Sequence, residues 1–357
     1  MLAQRRLIVA GAWVILGLIL GGPGSTARAA PFYEGKQLVV VLAYRPGGAG
    51  HLRTQIEAQH LSKLLPGHPT VVYKFVPGAD GAAAANYMSN VAKRDGLTIA
   101  NIGTGMFSSA IFKAPEARFK LKDFIFFGTG YGGGPYAVEI RPGLGLDTIE
   151  KLKAYKGVRF GQRTIGHPQY ILDRLIAYVL ELKDPKFLVG YSSQDIITAL
   201  KRGEADAHTT NLYSFLWRDG LNKLKMGYTV PVVVRNTKGR GVEWVPEFPR
   251  RPHLVDFADT ELKRAVIRFH NSIKPGSTIF LTPKGIPVAA LKALQEGFRK
   301  VWNDPEFALE YRHLTGQPSD PVTGEEIHEA IKQLSKDPKI ARIYKQITEG
   351  GPLPPVR

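Results

Sequence analysis

The chain has 357 residues, 44% of them hydrophobic and 22% charged, with a formal net charge of +17. That length exceeds one ordinary core, so two domains are expected, and the balance excludes wholesale disorder. Cysteine is absent, which excludes disulfides, thiolate catalysis, zinc–thiolate sites and a lipid-modified N-terminal cysteine.

The chain opens on a targeting pattern. Arg5 and Arg6 precede an uncharged apolar run over residues 7–20, then Gly21, Gly22, Pro23 and Gly24, then Ala27-Arg28-Ala29. Small residues at the −3 and −1 positions predict a secretory leader cut after Ala29, and the run is short for a membrane anchor. Later apolar runs are too short to span a bilayer, so a soluble periplasmic chain is expected. Removing Arg5, Arg6 and Arg28 lowers the charge to +14, a balance that favours anionic partners. The lysines and arginines are scattered and no nucleic-acid motif occurs, so a small anion is expected rather than nucleic acid.

Residues 37–44 (QLVVVLAY) read as a strand buried on both faces. Pro46 to Gly50 stops it, and 52–65 has helical spacing ended by Pro66-Gly67. Strand 70–76 meets Pro77 to Gly81, a helix follows over 82–92, and strand 97–102 ends at Gly103-Thr104-Gly105. Such strand–turn–helix units predict a parallel sheet with right-handed crossovers. Strand 124–129 runs into Tyr131 to Pro135, a glycine-rich hinge. A second series follows: strands at 137–141, 158–160, 187–191, 205–210 and 230–234, and helices at 148–154, 170–182 and 194–202. From about residue 261 the pattern changes to helix 262–273, strand 278–281 and helices at 288–303, 305–315 and 324–335, before a proline-rich tail.

Ligands of parallel α/β sheets sit beyond the carboxyl ends of the strands. The glycine turns stand there, each opening a helix whose bare N–H groups and positive end suit an anion. The candidate ligand residues are Tyr44, Gly47, Gly48, Ala49, Gly50 and His51 after the first strand, Gly78 and Ala79 after the second, and Thr104 and Ser108 after the third. In the second series they are Gln162, Arg163, Thr164, Gly166, His167 and Tyr191. His51 and His167 equally fit helix capping, and Tyr44, Tyr131 and Tyr191 equally fit packing at strand ends. Asp206 is expected to cap the turn after Gly203. No Walker loop, dinucleotide fingerprint, nucleophile elbow or histidine pair at ligand spacing occurs. No cofactor, no metal and no catalysis are therefore expected.

These loops resemble those of the substrate-binding proteins of tripartite tricarboxylate transporters, the Bug-type family. The first is Tyr44-Arg45-Pro46-Gly47-Gly48-Ala49-Gly50-His51, the second Pro77-Gly78-Ala79-Asp80-Gly81. Asp95-Gly96-Leu97-Thr98-Ile99, the loop Gly161 to His167, Gly203-Glu204-Ala205-Asp206 and Pro283-Lys284-Gly285-Ile286-Pro287 follow in the family's order. The resemblance spans residues 36–335. It implies a two-lobed α/β fold of the type II periplasmic-binding-protein kind, each lobe a mainly parallel sheet flanked by helices with the cleft at the hinge. It also implies carboxylate ligands and docking to membrane permease subunits. His51 replaces the family's aspartate, Lys74 its asparagine and Ser192 a lysine. Losing the acid predicts a ligand without a free amine.

The expected division is a leader at 1–29, lobe 1 at 30–133 and 263–345, lobe 2 at 134–262 and a flexible tail at 346–357. The expected function is capture of a di- or tricarboxylate or aromatic acid by a monomer that feeds a transporter. The carboxylate would dock on amides of Gly48 to His51, with Arg163 and Thr164 closing over it from the other lobe. A sensory binding protein and an exported enzyme remain alternatives.

Overall fold

A computed structural model describes residues 30–355 apart from Gly48, Arg218, 235–247, Pro249, Pro275 and 335–336, together with the side chains of Ala49, Asp80, Ser193 and Trp217. The expected leader and the last two residues lie outside it.

The first half alternates strands and helices: β1 (Gln37–Leu42), α1 (Ala49–Leu64), β2 (Thr70–Phe75), α2 (Ala82–Asn90), β3 (Thr98–Gly103), α3 (Gly105–Ile111) and β4 (Phe124–Thr129). A second series follows: β5 (Tyr136–Ile140), α4 (Ile149–Ala154), β6 (Arg159–Gly161), α5 (Pro168–Leu180), β7 (Lys186–Leu188), α6 (Ser193–Arg202), β8 (Ala207–Asn211), α7 (Leu212–Trp217), α8 (Gly220–Lys225) and β9 (Val233–Val234). The rest is α9 (Glu261–Ile273), β10 (Thr278–Pro283), α10 (Val288–Trp302), α11 (Pro305–Thr315), β11 (Val322–Thr323), α12 (Gly324–Lys332) and α13 (Pro338–Thr348).

One strand order is used twice. The first sheet runs β2-β1-β3-β10-β4, with β11 at its far edge, and the second runs β7-β6-β8-β5-β9. In each, the first three strands are parallel and the fourth antiparallel to both neighbours. Both sheets are therefore mixed. The fourth strand enters each sheet from the opposite lobe, which is why it runs against the others. The chain consequently crosses between lobes twice, at 130–135 and between β9 and β10. The parallel strands of both sheets end toward these crossovers, where an α/β crevice lies.

Alternation along β1 explains its continuous apolar run. Leu38, Val40 and Leu42 pack with Ile56 and Leu61 of α1 and Leu294 and Phe298 of α10. Val41 faces the other way, into a cluster that continues through Val266 and Phe269 of α9 and Tyr344 of α13 to Phe160 and Ile176 of the second lobe. Period-2 side chains buried on both faces need such two-sided cover. Helix α9, whose role the sequence leaves open, is thus part of the shared core. Its Lys263 is 1% exposed and reaches Glu181 at 2.5 Å and Asp259 at 2.9 Å.

Residues 346–348, expected to begin the tail, complete α13. The next residues are fastened by Arg174, which is 2% exposed. Its Nε donates to the carbonyl of Ile347 at 2.9 Å, Nη1 to Gly351 at 2.9 Å and Nη2 to Gln346 at 3.0 Å. Tyr170 adds a bond to the carbonyl of Glu349. Removing one side chain leaves the buried Ile347 carbonyl unanswered, worth about 1–3 kcal/mol, and frees the part-buried carbonyls of Gln346 and Gly351. Arg174→Ala is therefore expected to lower the denaturation midpoint and to expose the segment after residue 348 to protease. A tail that stays protected in this variant would refute the clamp.

Candidate functional site

The first-lobe rim is built by the turn after β1. The Tyr44 ring lies under Gly50, where an added Cβ would come within 3.1 Å of it, so glycine is needed for the close approach. The Tyr44 hydroxyl donates to Asn101 Oδ1 on β3. Asn101 is wholly buried and its Nδ2 has no partner. His51 turns away from the crevice. Its ring packs edge-on against Tyr73 and Phe75 of β2, and its Nδ1 accepts the Gly47 N–H at 3.1 Å. Gly47 therefore lends its amide to His51, whereas Gly50 and His51 keep the bare first-turn amides of α1. Gly48 lies outside the described residues. The Gly78–Ala79 turn reaches the end of β3: a Cβ on Gly81 would meet Ile102 at 2.8 Å and the Gly103 carbonyl at 3.3 Å. Ser108 is half-buried on α3.

The lobes meet around Tyr131, in the first crossover. The Arg53 guanidinium of α1 lies over its ring at 4.8 Å. Asn211, at the carboxyl end of β8, donates from Nδ2 to the Tyr131 hydroxyl at 2.8 Å and to the Gly133 carbonyl at 2.7 Å. Asn211 Oδ1 accepts the Ser214 N–H at 3.2 Å, and Ser214 Oγ accepts from Gln317 Nε2 at 3.1 Å. Gln317 Oε1 in turn accepts from Arg53 Nη2 at 2.7 Å. These five residues form a closed polar circuit across both lobes.

Beside it lies a cavity of about 150 Å³ lined by both lobes and both crossovers. Thr104 comes from the first lobe, Pro168 from the N-terminus of α5, Gly132 to Gly134 from one crossover, and Lys274 and Ser277 from the other. Its lining includes the Lys274 ammonium, the hydroxyl residues Thr104, Tyr136 and Ser277 and a glycine backbone, which suit a small anion.

The second-lobe turn is pinned sideways. Gln162 and Arg163 exchange main-chain bonds with Leu188, Gly190 and Tyr191. Arg163, Thr164 and Gly166 are exposed, and Ile165 lies against the Gly350 backbone. His167 caps α5, its Nδ1 accepting the Gln169 N–H at 3.4 Å. Burial, Arg163 and Lys274 push its pKa down to about 4. Among the described residues, no hydrogen bond or ring contact joins 45–51 to 161–167. Thr104 and the start of α5 are what the structure brings together. Tyr191 packs at the edge of α6. Asp206 caps no turn: it is 1% exposed and accepts from Arg141 and from Arg159 at 2.8–3.1 Å.

Arg53, Tyr136, Asn211, Ser214, Lys274 and Gln317 were not legible as site residues. One signal existed. Arg53 follows a glycine turn early in α1, near the positive helix end where a cation is disfavoured without an anion.

No family model and no curated protein matches the sequence. Solved structures do match in fold. A TctC solute binding protein from Polaromonas, solved without ligand, superposes with TM-score 0.64 at 16% identity, covering 88% of this chain and 98% of that one. R. palustris Rpa4515 with adipate gives 0.59 at 14%, covering 87% and 98%. MatC from Rhodopseudomonas palustris with bound malate gives 0.54 at 15%, covering 88% and 99%. The chain shares the two-lobed α/β fold of these proteins. Among the described residues no cluster of His, Asp or Glu could hold a metal ion, and no helix is long and apolar enough to cross a membrane.

A buried acid stands behind the circuit. Glu57, one turn after Arg53, accepts from the Gly130 N–H at 2.7 Å and from Trp302 Nε1 at 2.9 Å. Burial raises its pKa from 4.5 to about 7, against the lowering effect of those bonds and of Arg53. The unfolded chain thus loses this proton first as pH rises. The stability it contributes is complete below pH 4.5 and lost as pH passes about 7. Glu57→Gln keeps an acceptor for both donors. It is expected to match the parent near pH 4 and exceed it at pH 8, by on the order of 3 kcal/mol. Denaturant titrations at both pH values check this, and an equal difference at both would count against it.

Proposed function

We propose that this protein is an exported solute-binding protein that holds a small carboxylate between its two lobes and hands it to a membrane permease. The observation that carries the proposal is that both sheets direct their parallel strands' carboxyl ends toward the crossovers, where Lys274 and the start of α5 line a cavity and Arg53 lies over the neighbouring Tyr131. Fold similarity to a TctC solute binding protein, and to proteins solved with adipate and malate, supports the same reading. The leader pattern at 1–29 supports export. In this reading residues 30–133 with 263–345 form one lobe and 134–262 the other. Candidate contacts from the sequence that fit are Tyr44, Gly50, Thr104 and the His167 turn, with Arg163 and Thr164 reaching the crevice only after the lobes move.

Nothing in the geometry calls for chemistry on the ligand. The crevice supplies donors and cations, which bind and orient an anion, and closure of the lobes around it would exclude water. The net charge of the processed chain draws anions toward it.

Calorimetry of the processed protein against adipate, malate, citrate and benzoate is expected to give saturable binding by at least one acid. The same acid should raise the unfolding midpoint, since saturation at about 100 times Kd adds about 2.7 kcal/mol. Failure of every acid with a ligand-stripped preparation would sink the proposal.

A further inference from the structure

Several buried or half-buried cations among the described residues are answered, although the Nε of Arg251, away from the crossovers, is also buried without a partner. Lys263 has Glu181 and Asp259, Lys223 has Glu139 at 2.6 Å, Arg141 and Arg159 share Asp206, and Arg174 has main-chain carbonyls. Arg53 differs. It is set between the lobes, and among the described residues no carboxylate pairs with it. Its partners are neutral: the Tyr131 ring at 4.8 Å and Gln317 Oε1 at 2.7 Å. Its Nε is buried and has no partner. The nearest acid along α1, Glu57, directs an oxygen at Gly130 and Trp302 instead.

A half-sunk guanidinium without an anion is costly, and its planar fork matches a carboxylate in two parallel bonds. Gln317 takes one Nη2 hydrogen, which leaves the other and the Nε hydrogen. A carboxylate seated there would leave the Gln317–Ser214 bridge in place, so the interlobe circuit would persist in the bound form. Tyr213, whose ring an added Cβ on Gly134 would meet at 3.0 Å, and Tyr136 of β5 stand on the second-lobe side.

We infer that Arg53 is the residue that anchors the ligand's carboxylate, receiving it on Nε and Nη2 while Gln317 holds the lobes together around it. This rests on the solute-binding reading above and assigns its charge recognition to one side chain. Arg163, the cation the sequence favours, is exposed on a turn pinned to the β7 loop and does not reach Tyr131 in this structure.

The test pairs a change in the protein with a change in the ligand. Each acid that binds the parent is compared with its carboxamide, on the parent and on Arg53→Gln, with circular dichroism and unfolding midpoints recorded for both proteins. The parent is expected to prefer acid over amide by about 30-fold or more. Arg53→Gln is expected to bind acid and amide alike, within about threefold, because the penalties share one contact. Arg53→Lys, which keeps charge but not the fork, should bind the acid roughly tenfold more weakly and keep some preference. It serves if the glutamine variant does not fold. Binding by the parent with the full acid preference surviving in these variants would overturn the role of Arg53 and leave the solute-binding reading standing. No binding of any acid by the parent would overturn both.

Discussion

Tyr131 is held on its face by Arg53, at its hydroxyl by Asn211, and along its backbone by the first crossover. It is 3% exposed, and burial pushes its hydroxyl pKa upward, so it acts as a neutral donor and acceptor at all ordinary pH. Because its three neighbours come from α1, from β8 and from the linking chain, its position fixes how the lobes sit. The glycines on either side let the chain pass: a Cβ on Gly130 would collide with Glu57 at 2.8 Å, and one on Gly132 with Val322 at 2.9 Å. Crevice shape follows from that one ring and the turns that admit it.

Away from the crevice the lobes share an apolar cluster through α5, α9 and α13. A large apolar junction resists separation, whereas a polar circuit can exchange partners with water and ligand. In the solute-binding reading, opening would be confined to the side where Arg53, Gln317 and Ser214 meet. The Arg174 clamp on residues 346–351 belongs to the rigid side and keeps α13 seated.

Much of the architecture was legible because strands and turns leave local marks. The run at 37–44, the glycine turns at Pro46 and Pro77 and the hinge glycines 132–134 all fall where the structure places them. The antiparallel fourth strand was not legible: β10 and β5 carry no sequence mark of direction, since apolar alternation is the same either way. The site was legible only in part. Loop chemistry pointed to glycine amides near Tyr44 and Thr104, but it could not show that His51 packs on β2 or that residues 161–167 are tied to the β7 loop. Those outcomes depend on contacts more than 20 residues apart. Arg53, Asn211, Ser214 and Gln317 are separated by up to 264 positions, and no local pattern announces such a meeting.

In the proposed role, anion recognition also depends on what the nearby acids do. Two carboxyls are buried beneath the crevice, Glu57 in the first lobe and Asp173 in the second. Were both ionised, they would oppose the field of Arg53 and Lys274. Burial opposes this. Asp173 is wholly enclosed, bonded to Gln162 and Thr209, and desolvation lifts its pKa well above the usual carboxylate range. Glu57 is lifted to about 7 by the same cause. A carboxyl held neutral by low-dielectric surroundings still offers directed hydrogen bonds but repels no guest. Both acids thus order β6, β8 and the first crossover; Asp173 is held toward its neutral form, whereas Glu57 begins to oppose Arg53 as pH approaches 7.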